Sequence, residues 1–235
     1  MPEYVHGGDV YSYAERYGGE PLDLSANISS FGIPERVRQA MHRAIEDCAR
    51  YPDPFCRAAR RAIGAAEAVP DGFLYCGNGA ADVLDRLAAA LRPRRALLTA
   101  PAFAEYERTL AGADIRFHYL REDEGFAVTE RILSDITPET DVVYLCNPNN
   151  PTGRTVEPAL LRAVAARSTD AGARLIVDEC FVDFLQDAAR HTLKGLLAGS
   201  PHLILLRAYT KLFAVPGVRF GWCMTADVGL IEALY

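Results

Sequence analysis

From Arg95 onward the chain alternates short β-rich runs with helical patterns, and this alternation limits the fold more than any other feature. The runs are residues 96–99, 115–120, 142–146, 175–178 and 203–206. A strand with one wet face alternates apolar and polar residues, whereas one that stays apolar throughout has both faces covered, as in a parallel sheet layered by helices. Between the runs, Val83, Leu84, Leu87 and Leu91 form one helical stripe, and Leu160, Leu161, Val164 and Ala165 form another. The expectation is an α/β protein with three α/β/α layers around a mainly parallel sheet.

The first seventy residues differ. They open on His6-Gly7-Gly8, continue through an extended piece at 22–27, and enter two helices expected near Pro34 and Pro54, since proline suits a first helical turn. We therefore expect an N-terminal arm over 1–34 and one domain over 35–235, with the last pattern, 228–235, helical. Half of the 235 residues are hydrophobic, enough for a substantial core.

The net charge of −6 comes from interspersed acids and bases with no basic stripe, which argues against a nucleic-acid partner. No apolar run approaches bilayer length, and the N-terminus lacks the basic start and apolar core of a signal peptide. The expectation is a cytoplasmic protein without a membrane partner. Six cysteines without a C-x-x-C pair and five dispersed histidines support neither a disulfide framework nor a structural metal.

Ligands of open α/β sheets gather at the carboxyl ends of the strands, so polar residues just after apolar runs are the candidates for chemistry. Lys211 stands in apolar company within residues 207–222. Desolvation lowers a lysine pKa, and the free amine is the form that attacks a carbonyl; the alternative is an ordinary loop lysine. Arg219, eight positions on, suits a phosphate. Asp178 closes an apolar run and is followed by Glu179; it either caps the next turn or pairs with a protonated ring nitrogen.

Residues 147–153, Asn-Pro-Asn-Asn-Pro-Thr-Gly, read as a tight turn in which Pro151 holds Asn150 extended, free to present its amide. Small residues at 77–81, Gly-Asn-Gly-Ala-Ala, precede a helix and expose backbone N–H groups to an anion. Phe103 offers a flat face to an aromatic ring, or is simply core.

In their order along the chain these strings resemble the type I fold of pyridoxal-phosphate enzymes, in the branch of the histidinol-phosphate aminotransferases. The resemblance implies pyridoxal 5'-phosphate as cofactor, with Lys211 as the lysine bonded to it and Asp178 on its ring nitrogen. It implies Asn150 at the ring hydroxyl, Phe103 stacked on the ring, and Gly79, Ala80, Ala81, Thr210 and Arg219 around the phosphate. Tyr51 would reach the phosphate across the interface of a homodimer.

Within the branch, His6-Gly7-Gly8, the 24–28 and 50–53 segments, Phe103-Ala104-Glu105-Tyr106 and the 214–217 segment resemble decarboxylases that act on L-threonine O-3-phosphate in cobalamin biosynthesis. Phe181 stands where aminotransferases of the branch usually carry a tyrosine. This likeness implies substrate contacts from His6, Gly7, Asn27 and Asn150, and (R)-1-aminopropan-2-ol O-phosphate as product. The alternatives are an aminotransferase on the same scaffold and a catalytically silent cofactor-binding or assembly module. Family members continue past Tyr235 into a small domain bearing the arginine for the substrate carboxylate, so a C-terminally incomplete domain is expected. Ala102, and Ser29-Ser30-Phe31-Gly32 in place of Asn-Pro-Leu-Gly, depart from the decarboxylase pattern.

Overall fold

The structure is a computed structural model that describes residues 7–235. His6 lies outside the described residues. The chain forms a seven-stranded sheet in the order β1-β7-β6-β5-β4-β2-β3. Its strands are β1 (Leu74–Gly77), β2 (Arg95–Ala100), β3 (Asp114–Tyr119), β4 (Val142–Cys146), β5 (Arg174–Asp178), β6 (Leu203–Arg207) and β7 (Gly221–Met224). The helices are α1 (Val10–Tyr17), α2 (Glu35–Ala44), α3 (Arg57–Glu67), α4 (Ala80–Leu91), α5 (Glu105–Thr109), α6 (Ile132–Asp135), α7 (Pro158–Asp170) and α8 (Val228–Ala233).

Six of the seven strands run in one direction, and β7, between β1 and β6, runs against them. Alternate residues of the central strands feed two separate cores. Val143, Leu145, Leu175, Val177, Leu203 and Leu205 join one; Val142, Tyr144, Ile176, Ile204 and Leu206 join the other. This is why those runs are apolar at every position. The edge strand β3 is the exception, with exposed and covered residues alternating over most of its length.

Val83, Leu84 and Leu87 of α4 and Leu160, Leu161 and Val164 of α7 are buried, while Leu91 and Ala165 are only partly covered. The structure refines the sequence reading at three places. The extended piece at 22–27 pairs with no strand, and Leu22 and Leu24 are exposed. The helix expected near Pro54 begins at Arg57, after a turn in which Asp53 accepts from the Phe55 and Arg57 amides. Strands β1 and β7 were not among the anticipated runs; each spans four residues, a length at which a buried strand has little periodicity to read.

Strand order places the functional strings together. Cys146 pairs in register with Asp178, and Asp178 with Leu206, so the ends of β4, β5 and β6 stand side by side. The β1–α4 connection lies next to β7, because β1 and β7 pair from Leu74↔Met224 to Gly77↔Gly221.

Candidate active site

Lys211 lies four residues beyond β6 in a tight turn and is partly buried. Burial lowers the pKa of its amine, the Arg219 charge adds to that, and the nearby Cys180 opposes it, leaving the amine below the usual lysine range. More of it is therefore free base near neutrality than for a solvated lysine, the condition that imine chemistry requires.

Asp178, the last residue of β5, is 6% exposed. One carboxylate oxygen accepts the Cys180 amide at 2.9 Å, so the turn-capping role is real. The other accepts the Tyr106 hydroxyl at 2.7 Å.

The segment before α4 makes an anion cradle with Arg219. Gly79 caps the helix at φ 91°, and a Cβ there would fall 2.6 Å from Nη2 of Arg219, so the guanidinium rests against the backbone of the helix start. The Asn78 amide donates to Asp82 at 2.9 Å and shapes the turn. A Cβ at Gly221 would sit 2.5 Å from the Ala80 nitrogen, so only glycine lets β7 press this closely on the helix. Free backbone N–H groups of a 12-residue helix beside a guanidinium suit a phosphate. Thr210, 7% exposed, and Lys211 are neighbours on the segment that leads to Arg219.

A cleft of about 260 Å³ brings together Gly7, Asn27, Phe103, Asn150, Phe181 and Lys211. A second cleft of about 430 Å³ shares Asn27, Asn150 and Phe181 and adds Ile28, Gly153 and Phe184. Within the 147–153 turn the roles divide. Asn147 donates to His191 and accepts from Val156, and Asn149 donates to Pro101 and Thr152, so both brace the turn. Asn150, followed by Pro151, lines both clefts.

The N-terminal stretch reaches the cleft by close packing. A Cβ at Gly7 would collide with the Ser25 carbonyl at 1.9 Å, the Gly8 amide donates to the Ser25 hydroxyl at 2.8 Å, and the Ser29 amide donates to the Lys211 carbonyl at 3.0 Å. Tyr51 is not brought to the cleft by its own chain; its side chain is fully exposed.

Sequence reasoning did not assign Tyr106, nor a buried ionic network beside the site. Arg207, 4% exposed, meets Glu179 at 2.9 Å, Asp183 at 3.3 Å and Glu67 at 3.7 Å. Glu67 also meets Lys194 at 2.9 Å and accepts from the Tyr209 hydroxyl at 3.1 Å. Burial raises the Glu179 pKa against the pull of Arg207. At Glu67, burial acts in the same direction but the Lys194 hydrogen bond and the Arg207 charge outweigh it, holding the carboxylate low. The available signal was a charged residue closing the apolar run 203–206.

Among the described residues no group of three or more His, Cys, Asp or Glu side chains is placed to hold a metal, and no helix is long and apolar enough to cross a membrane.

Residues 20–235 match the family model for aminotransferase class I and II. The chain belongs to the aminotransferase class I and II family. It is 38% identical over 228 residues to a threonine-phosphate decarboxylase of Salmonella typhimurium, a match covering 95% of this chain and 62% of the relative. It is 30% identical over 227 residues to a histidinol-phosphate aminotransferase of Ralstonia nicotianae, covering 93% and 60%. The crystal structure of the histidinol-phosphate aminotransferase from Clostridium acetobutylicum superposes with a TM-score of 0.81 at 28% identity, covering 89% of this chain and 62% of that one. The chain thus spans about three-fifths of the length of these relatives.

Pyridoxal 5'-phosphate is the cofactor of this family. The residues present fit it: a partly buried lysine of lowered pKa and an aromatic side chain line one cleft, a buried carboxylate closes β5, and an anion cradle stands at a helix start.

Proposed function

We propose that this chain takes part in the decarboxylation of L-threonine O-3-phosphate to (R)-1-aminopropan-2-ol O-phosphate, a step of cobalamin biosynthesis carried out in the cytoplasm. The observation that carries the reading is the placement of Lys211 in the same cleft as Gly7, Asn27, Asn150 and Phe181, with its turn leading directly to Arg219 on the helix start. The 38% identity to a threonine-phosphate decarboxylase supports the choice of reaction.

In this reading Lys211 bonds to the cofactor, and Gly79, Ala80, Ala81, Thr210 and Arg219 hold its phosphate. Asp178 meets the ring nitrogen, Asn150 the ring hydroxyl, and Phe103 covers one ring face. Pyridoxal phosphate, when bound, draws off the electrons released as the bond to the carboxylate breaks. As a free amine in the cleft, Lys211 would be the group that returns a proton to Cα. Phe181 offers an apolar surface where a tyrosine would add a hydroxyl. Gly7 and Asn27 would form the substrate side with Asn150, and His6, assigned to it from the sequence, lies outside the described residues.

A second copy of the chain belongs to the reading. Helices α1 and α2 bury no residue, Phe31, Ile45 and Tyr51 are exposed, and Tyr51 meets no cleft of its own chain. We assign 1–34 as an arm and 35–235 as the cofactor-binding domain of such a homodimer. A histidinol-phosphate-type aminotransferase is the second reading, favoured by the solved structure at TM-score 0.81.

The test is an absorbance spectrum with pyridoxal phosphate for the chain and for Lys211→Ala, followed by L-threonine O-3-phosphate. A visible band that needs Lys211, with CO2 released and no amino transfer to a 2-oxo acid, supports the decarboxylase. Amino transfer supports the second reading. A band without turnover leaves a cofactor-binding module, and no band overturns the cofactor assignment.

A further inference from the structure

Two of the groups assigned to the cofactor come from distant parts of the chain, Phe103 from the connection after β2 and Asp178 from the end of β5. Both touch one buried side chain. Tyr106, on the first turn of α5, is 1% exposed. Its ring meets Phe103 edge to face, with centroids 5.7 Å apart and planes at 83°. Its ring also meets Tyr144, at 5.4 Å, and its hydroxyl lies beside the buried Cys146 thiol. Its hydroxyl donates to Asp178 Oδ2 at 2.7 Å across 72 residues of sequence.

The Cys180 amide holds Oδ1 of the same carboxylate at 2.9 Å. With one internal donor on each oxygen, the carboxylate cannot turn about its Cβ–Cγ bond without losing a hydrogen bond in a buried setting, where such losses are costly.

We propose that Tyr106 is a positioning residue of the site: its hydroxyl orients Asp178 and stabilises the carboxylate's negative charge toward a ring nitrogen, while its ring sets the plane of Phe103. The proposal rests on the pyridoxal-phosphate reading above. Burial, reinforced by the Asp178 charge, holds the phenol pKa well above its ordinary value, so Tyr106 remains a donor at every physiological pH. A phenylalanine here would keep the packing against Phe103 and Tyr144 and remove the hydroxyl, with its bond to Asp178 and its contact with Cys146.

The experiment uses the full chain with pyridoxal phosphate and compares Tyr106→Phe with a chain carrying 3-fluorotyrosine at 106, a nearly isosteric but stronger donor. Without its donor, Asp178 draws the shared proton away from the ring nitrogen, and the ring loses positive charge. Nζ of Lys211, bonded to the cofactor, would then keep its proton to higher pH. The expected result for Tyr106→Phe is a rise of about one unit in the pH midpoint of the visible band and cofactor binding about tenfold weaker, the size of a charge-assisted hydrogen bond. The melting temperature of the cofactor-free chain should change little, and fluorotyrosine should move the midpoint downward.

An unmoved midpoint with a lower cofactor-free melting temperature would reduce Tyr106 to packing and overturn the proposal. If Tyr106→Phe does not fold, the fluorotyrosine chain decides, and an unmoved midpoint there overturns it equally. Absence of any Lys211-dependent band in the unsubstituted chain removes the cofactor reading and this proposal together, an outcome distinct from a band that Tyr106 does not tune.

Discussion

At the carboxyl ends of β5 and β6 the charged groups are buried and tied to one another; in α1, α2 and the 3-10 turn that follows, no residue is buried at all. Taking Arg207 and Glu179 out of water costs several kcal/mol each, offset only when the pair and its hydrogen bonds are complete. Their partners Glu67, Asp183 and Thr192 come from separate segments, with Lys194 joined through Glu67, so the network forms only when those segments have docked. Helix α1, by contrast, spans eight residues and is held by the Asp9 cap, a length that is marginal in isolation.

The comparison separates two kinds of site residue. Those assigned to the cofactor stand mainly on an edge cross-linked from behind, while Gly7 and Asn27 belong to a stretch anchored by a few hydrogen bonds, among them Ser29 to Lys211. In the proposed reading the cofactor-holding groups are preorganised by the sheet, whereas Gly7 and Asn27 depend on the few hydrogen bonds of the N-terminal stretch.

Substitutions can break this contrast. Lys211→Ala should have the largest effect, complete loss of the visible band and of borohydride-trapped cofactor on the peptide containing position 211. The same residue carries a pH dependence. Between its lowered folded value and the ordinary 10.5, the native chain binds fewer protons than the unfolded one, so this group makes stability rise with pH across that window. Its contribution is lost as pH falls through the folded value, and Lys211→Met should flatten that part of a urea-stability profile.

Arg207→Leu should come next. Leaving Glu179 buried and uncompensated should cost about 3–5 kcal/mol in urea unfolding, and a loss below about 1 kcal/mol would show that the network is solvated rather than dry. Arg219→Ala should leave folding nearly intact and weaken cofactor binding by about ten- to a hundredfold in a fluorescence titration, as expected for a lost charge-assisted contact. Phe31→Ser should change the unfolding free energy of the dilute chain by no more than about 0.5 kcal/mol. If a second copy covers that surface, the effect should grow with protein concentration in sedimentation and melting experiments, and a concentration-independent result would leave the N-terminal stretch uncovered.

What could be read in the sequence was what depends on local chemistry. The central strands showed in the 142–146, 175–178 and 203–206 runs because both faces of each are buried. The turn into α4 showed because small residues at 77–81 precede an amphipathic helix, and the partly buried Lys211 because a lysine among apolar neighbours is unusual. Strands β1 and β7 were too short to carry a period, and the apolar residues at 22 and 24 read as extended although no strand receives them.

The contacts that link the site residues to one another belong to the tertiary structure alone. Tyr106 meets Asp178 across 72 positions and Tyr209 meets Glu67 across 142. Periodicity and turn chemistry act over a few residues and leave a local trace; which buried donor faces which buried acceptor follows from sheet order, and that is settled only when the whole core packs.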